Sequence, residues 1–317
     1  MHFVNFDTNN IVVNDYENVY YYARIKLKFS NNTEVLSDRY CLYNPITIAK
    51  LKINVDDDYI YYACCYGYVH ILEYLKSSNL LYEYDKYLLK AASYYGHVAV
   101  LEWWKNSGLD LKYDKYELDD ASRNGHINVP EWWKNSGLEL NYDEDSLNLA
   151  SEYGQVAVLE WWKQSGLELK YNEKALKLAS LEGHINVLEW WKNSGLPLKY
   201  SDYALYYASS NCNCINVLEW WKNSGLSLKY NVFALNSASS HGLIDVLEWW
   251  KNSGLPLEYD EYALLDASEN GQVDVLEWWK NSNLPLKYNE RVFDRAFNNG
   301  HISVLEWWKN FELEFKK

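Results

Sequence analysis

Tryptophan pairs recur along this chain at Trp103-Trp104, Trp132-Trp133, Trp161-Trp162, Trp190-Trp191, Trp220-Trp221, Trp249-Trp250, Trp278-Trp279 and Trp307-Trp308. The step is 29 residues each time, apart from a single step of 30. A fixed period of roughly 20–50 residues marks a stack of small units, each unable to bury its apolar face alone. A ninth, degenerate copy precedes the others, with Tyr74-Leu75 in the Trp-Trp slot. The pattern thus divides the chain into a non-repeat region, 1–50, and nine repeats over 51–317.

Each unit reads as two short helices. From Leu196 the run is Leu-Pro-Leu-Lys-Tyr-Ser-Asp-Tyr-Ala-Leu-Tyr-Tyr-Ala-Ser, then a turn, and a later segment reads Ile-Asn-Val-Leu-Glu-Trp-Trp-Lys-Asn-Ser-Gly. The first helix starts at a slot filled by Asp85, Asp114, Asp143, Asn172, Ser201, Asn231, Asp260 and Asn289. All are residues whose side chains accept from the free N–H groups of a first helical turn. A tyrosine precedes each cap, and Tyr200 with Leu205 has the spacing of a hydrophobic staple. Gly125, Gly154, Gly183, Gly242, Gly271 and Gly300 fit the left-handed position that ends a helix. In the second helix, Asn186 with Glu189 and Asp245 with Glu248 have capping-box spacing. Pro130 falls in a first turn, where its missing N–H is tolerated.

Composition narrows the function classes. A hydrophobic fraction of 48% argues against disorder. The five cysteines (Cys41, Cys64, Cys65, Cys212 and Cys214) are too few for a disulfide framework, so reduced thiols and a cytoplasmic setting are expected. The net charge is −14, yet residues 1–50 carry five acidic and five basic side chains, so the excess lies in the repeats. An acidic array repels phosphate, which counts against nucleic acid and anionic membranes as partners. The N-terminus lacks the basic and apolar regions of a signal peptide, and no segment is apolar enough to span a bilayer.

Three features invite a chemical reading. The Trp pairs could form an aromatic platform, but aromatics at one helical slot in every copy fit an inter-repeat core better, with the second Trp the more buried. His97, His126, His184 and His301 share a slot that holds Gln155, Leu243 and Gln272 elsewhere. A metal site would not tolerate leucine there, so turn packing with a backbone hydrogen bond is expected. Cys212 and Cys214 lie in the one enlarged turn, and two thiols alone do not make a zinc site. No phosphate loop, nucleophile elbow or acid–base pair occurs, so no enzyme activity and no cofactor are expected.

The run Ala-Leu-x-x-Ala-Ser-x-x-Gly-His-Ile-Asn-Val-Leu-Glu-Trp-Trp-Lys-Asn-Ser-Gly resembles the ankyrin repeat. Leu176, Ala179, Gly183, His184, Val187 and Gly195 stand in the matching places, with Trp190-Trp191 replacing a leucine pair. The unit is shorter than the ankyrin repeat of about 33 residues, and the missing residues fall where the ankyrin β-finger lies. The shortened style is similar to ankyrin arrays of giant DNA viruses and some lower eukaryotes, where the setting would be host cytoplasm. The resemblance implies an all-α, helical-repeat solenoid with short or absent β-fingers and a small N-terminal cap.

Sequence variation among the copies concentrates after the first-helix cap and at that helix's end. In ankyrin arrays such slots face the concave surface, so the resemblance implies a protein-binding face there. Its candidates are Lys115, Tyr116, Glu144, Glu152, Tyr153, Glu173, Glu182, Asp202, Tyr203, Phe233, His241, Glu261, Tyr262, Glu269 and Glu290; drift on a solvated face is the bland alternative. The expected function is a monomeric, non-enzymatic scaffold binding a basic protein. The rival is an assembly component that self-associates through its ends or Trp ridge. Within residues 1–50, Tyr22 to Phe29 and Glu34 to Tyr43 have strand-like composition around a turn at Ser30-Asn31-Asn32-Thr33. At the other end Phe311 and Glu312 replace Ser-Gly, so Phe311 and Phe315 are expected to fold back over the last core.

Overall fold

Between the cap residues and the glycines, the chain forms the two helices per repeat that its pattern predicts. A computed structural model describes residues 11–13, 22–28, 34–36, 38, 40–81, 84–211 and 215–315. It falls into two units, 1–121 with 126–141, and 122–125 with 142–317.

The first unit opens with short strands β1 (Ile11–Val13), β2 (Tyr22–Lys28), β3 (Glu34–Leu36) and β4 (Tyr40–Cys41). β2 pairs antiparallel with each of the other three, with Lys28 opposite Glu34. That is the expected hairpin, although the turn residues Ser30 to Thr33 lie outside the described residues. Helix α1 (Pro45–Leu51) follows, then α2 (Asp57–Cys65), α3 (Val69–Ser77), α4 (Tyr87–Tyr94), α5 (Val98–Asn106), α6 (Tyr116–Arg123) and α7 (Asn128–Asn135). The second unit holds α8 (Asp145–Glu152), α9 (Val156–Gln164), α10 (Lys174–Leu181), α11 (Ile185–Asn193), α12 (Tyr203–Ala208) and α13 (Ile215–Asn223). It continues through α14 (Phe233–Ser240), α15 (Ile244–Asn252), α16 (Tyr262–Glu269), α17 (Val273–Asn281), α18 (Arg291–Asn298) and α19 (Ile302–Phe315). Within this unit first helices stack on first helices and second on second, which makes it a helical-repeat solenoid. Among the described repeat residues no strand occurs, so the β-fingers are absent there.

The cap slot works as expected. In the second unit the Oδ1 atoms of Asp143, Asn172, Asn231, Asp260 and Asn289 accept from the N–H two residues on, at 2.9–3.0 Å. Two local expectations fail. Tyr200 does not serve as a staple: its ring lies 5.2 Å from Trp221 and its hydroxyl donates to the Ser227 carbonyl at 3.0 Å. The Lys229 ammonium then sits 4.6 Å over that ring and donates to the Tyr200 carbonyl at 3.0 Å. The same Lys–Tyr pairing recurs at Lys199 with Tyr171 and Lys287 with Tyr259. These bonds tie each loop to the loop of the next repeat.

The capping boxes of the second helices do not form either. Gly183, at φ +79°, turns the chain so sharply that α11 begins at Ile185, which leaves Asn186 already inside the helix. Glu189 is committed elsewhere, accepting from Trp220 and Asn193. A reciprocal box forms instead at Asp114 and Glu117, where Glu117 Oε2 accepts from the Asp114 N–H and Asp114 Oδ1 from the Tyr116 N–H. Pro130 is tolerated, with a local effect. Elsewhere Leu188 donates its N–H to the His184 carbonyl at 3.1 Å, a bond proline cannot make, and α7 starts one residue later than its counterparts.

Helix ends follow residue chemistry just as closely. Ser194 Oγ donates to the Trp191 carbonyl and accepts from the Leu196 N–H, while Gly195 takes φ +75°. Asn79 and Asn283 adopt the left-handed turn where glycine is missing, as asparagine tolerates best among the rest. With Phe311-Glu312 in place of Ser-Gly, α19 simply continues to Phe315 over 14 residues. Phe311 therefore packs from within the helix rather than by folding back, buried and stacked on Trp307 at 5.2 Å. The Phe315 side chain lies outside the described residues.

The core is built on the second Trp of each pair. Trp162, Trp191, Trp221, Trp250, Trp279 and Trp308 are all 0% exposed in the second unit. Burying an indole requires an acceptor for its N–H. Trp191, Trp221, Trp250, Trp279 and Trp308 donate to Ser151, Ser180, Ser209, Ser239 and Ser268 of an earlier repeat, at 2.9–3.0 Å. Ser151, Ser180 and Ser268 pass the bond on, donating to the helix carbonyl four residues back.

In the first unit the corresponding slot holds Cys64, and Trp104 Nε1 is buried with no oxygen acceptor among the described residues. Burial pushes the Cys64 thiol up to about 12, with its contact to Trp104 opposing, so the indole faces a neutral sulfur, a weak acceptor. Cys64→Ser is therefore expected to stabilise the chain by about 1 kcal/mol, the net value of one buried hydrogen bond. A thermal melt beside Cys64→Ala would check it, since the alanine variant should not show the gain.

Candidate interaction surface

Two faces of the repeat carry exposed side chains, and their geometry differs. On the second helices the first Trp of each pair is half-buried, and its N–H is already used. Trp190 donates to Glu160 at 2.8 Å, Trp249 to Glu219 at 2.9 Å and Trp278 to Glu248 at 2.9 Å. The same carboxylates accept from a side chain one turn on, as Glu219 does from Asn223 at 2.6 Å. These bonds, from the indole first, hold Glu160, Glu219 and Glu248 below the usual carboxylate range. Each first Trp also meets its buried partner edge-on, Trp249 with Trp250 at 5.2 Å. The recurrent Glu-Trp-Trp pattern is thus explained by bonds between repeats, and the Asn, or Gln164, that follows it by a bond within the helix.

The histidine slot behaves as turn packing. His97 Nε2 lies 2.8 Å from the Cys65 carbonyl, and Gln155 Nε2 donates to the Arg123 carbonyl at 3.0 Å. In the enlarged turn Asn211 makes the equivalent bond, to the Leu181 carbonyl at 3.1 Å. The ring lies directly against the preceding turn's glycine, so a Cβ on Gly271 would come within 2.7 Å of His301. Glutamine can donate as histidine does, which explains the mixture of the two. Cys212 and Cys214 lie outside the described residues.

The candidate binding residues sit on the first helices, and none of the fifteen is buried. In the first unit Lys115 precedes α6 and its ammonium lies 5.5 Å over Tyr116, the helix's first residue. In the second unit the candidates form two rows. At the N-terminal ends stand Glu144, Glu173, Asp202, Glu261 and Glu290, each just before a helix, with Tyr203, Phe233 and Tyr262 as first helical residues. At the C-terminal ends stand Glu152, Tyr153, Glu182, His241 and Glu269.

The two rows differ in how their charge is compensated. Glu144 accepts from the Asn172 amide at 3.3 Å and Asp202 from the Asn231 amide, both neutral donors that leave the negative charge in place. At the other end Glu269 is held by Arg295 in two bonds of 2.8 Å, and the Arg123 guanidinium lies 5.1 Å over Tyr153. Burial raises the Glu152 carboxyl above its usual range, Arg123 opposes this and Glu182 adds to it. Burial likewise raises Asp266, with Glu269 adding. Arg123 stands among the variable residues at a helix end, whereas Arg295 carries no periodic signal in the sequence. Sequence reasoning also missed the serine that follows alanine in α4, α6, α8, α10, α12, α14 and α16, although its recurrence 40 or 41 residues before the buried Trp residues from Trp133 onward is visible in the sequence.

No family model matches this chain, and no curated protein matches it. Among solved structures, it is similar to the crystal structure of the human ASB11 ankyrin repeat domain. The identity is 19%, the TM-score is 0.42, and the match covers 56% of this chain and 90% of that one. No helix among the described residues is long and apolar enough to cross a membrane.

Proposed function

We propose that this chain is an ankyrin-like, non-enzymatic interaction scaffold that receives a basic protein on an acidic, concave face made by its first helices. The observation that carries this reading is the N-terminal row of the second unit, where variable acidic residues, Glu144, Glu173 and Glu290 exposed and Asp202 and Glu261 part-exposed, stand beside exposed aromatics. A concave form for that layer is supported by the first helices, which approach one another more closely than the second helices do. Residues 1–50 act in this reading as a cap on the repeats of 51–317. Tyr59 of α2 supports that role, donating to the Leu42 carbonyl at 2.7 Å and stacking on Tyr43 at 4.7 Å. The setting is cytoplasmic and the chain a monomer.

The test is affinity capture with the intact chain beside a variant carrying Glu144→Ala, Glu173→Ala, Asp202→Ala and Glu261→Ala. Capture of proteins with basic segments should fall at least about ten-fold in the variant and weaken with added salt. Undiminished capture by the variant would reject the face. Light scattering across a concentration series addresses the rival, because self-association through the ends or the Trp ridge requires a mass that rises with concentration.

A further inference from the structure

Tyr203, Phe233 and Tyr262 open the first helices of three successive repeats and are 50%, 56% and 41% exposed. Single exposed aromatics are ordinary, but a row of three on adjacent helices is an apolar strip. Tyr206 bridges two of them, 6.2 Å from Tyr203 and 6.4 Å from Phe233. Asp202 and Glu261 lie along the strip, with Glu173 and Glu290 in the repeats on either side. Cations already meet rings in this layer: the Lys177 ammonium lies 4.9 Å over Tyr207, whose ring adjoins Tyr203 at 6.3 Å, and the Arg291 guanidinium lies 5.9 Å over Tyr262 itself. Such ring faces draw cations, and the carboxylates beside them add Coulomb attraction.

The spacing of the strip selects the shape of its occupant. Adjacent packed helices lie about 8–10 Å apart, so equivalent residues in successive repeats stand about that far from one another. A β-strand rises about 3.3 Å per residue but sends alternate side chains to opposite faces, so every third residue points the wrong way. A polyproline II helix has about three residues per turn and rises about 3.1 Å per residue. It therefore presents one face to the strip at intervals of about 9 Å, one side chain per repeat.

We infer that the strip binds a polyproline II segment carrying an arginine or lysine at every third position, one cation for each of the three aromatic repeats. This rests on the acidic-face reading and adds the conformation and register of the bound segment.

The test uses the full chain and two labelled peptides of equal composition. One contains four successive Pro-Pro-Arg triplets, and the other has its arginines contiguous. The spaced peptide should bind at least about ten-fold more tightly. Combining Tyr203→Ala, Phe233→Ala and Tyr262→Ala should abolish that preference while leaving the helical circular dichroism and the melting profile unchanged. Equal affinity for both peptides, lost in the four-carboxylate variant, would overturn the register and leave the acidic face standing. Failure of the spaced peptide to bind would overturn the inference, while protein capture independently decides the broader reading. A preference that survives the triple alanine variant would also overturn it.

Discussion

Trp250→Ala lowers the stability of the chain by about 3–5 kcal/mol, the range for deleting a fully buried indole, whereas Trp249→Ala lowers it by about 1–2 kcal/mol, the share of a half-buried ring. The two residues are neighbours in sequence and chemically identical, so their environments decide the difference. Trp250 is 0% exposed, donates to the buried Ser209 hydroxyl at 2.9 Å and supports the Tyr230 ring at 5.0 Å. Removing it opens a cavity and leaves a hydroxyl without its donor. Trp249 is half-buried, and its bond goes to the exposed Glu219, where water can replace the indole. Urea unfolding of both variants checks the contrast. Equal losses would mean that the outer ring is part of the core after all.

Replacing Glu117 should have an effect of similar size, but one that depends on pH. Glu117 stands where other first helices place the buried alanines Ala175, Ala204, Ala234 and Ala263, and it is only 2% exposed. Burial raises its carboxyl to about 8 from an ordinary value of 4.5, the Asp114 N–H opposing and the Asp114 and Asp120 charges adding. Between those two values the folded chain holds a proton that the unfolded chain has released. Stability is thus fully present below about pH 4.5 and lost as pH rises through about 8, by on the order of 5 kcal/mol. Glu117→Gln keeps an acceptor for the Asp114 N–H and removes the charge. The variant should therefore match the parent near pH 4 and exceed it clearly near pH 9. Parallel pH profiles of the two proteins would show that Glu117 is solvated enough to ionise freely.

Much of the fold was legible because its determinants are local and repeated. The caps at Asp143, Asn172 and Asn231, the glycine turns and the buried second Trp all follow from residue type at a fixed offset. The misreadings share one cause. Tyr200 and Glu189 were assigned partners inside their own helices, whereas their bonds reach into neighbouring repeats, to Ser227 and Trp220. Local spacing rules describe contacts within a turn or two of helix and carry no information about what an adjacent unit presents. The candidate face was legible only as a pattern of variation. Of its cations, Arg123 stood among the variable helix-end residues, whereas Arg295 recurs in no other copy at its slot, so no periodicity drew attention to it.

The bond from a buried indole to a serine one repeat earlier, repeated from Trp191 to Trp308, bears on how such a chain can grow. Donor and acceptor come from different copies, yet each of the seven copies from α4–α5 to α16–α17 carries one of each. Excision or duplication of a whole 29-residue block brings the next donor to an equivalent acceptor and leaves no orphan behind. A break at any other length separates the two and strands a polar group in the interior. The chain can therefore change length by whole copies at little energetic cost, and mutation can diversify its outer residues without touching the joints.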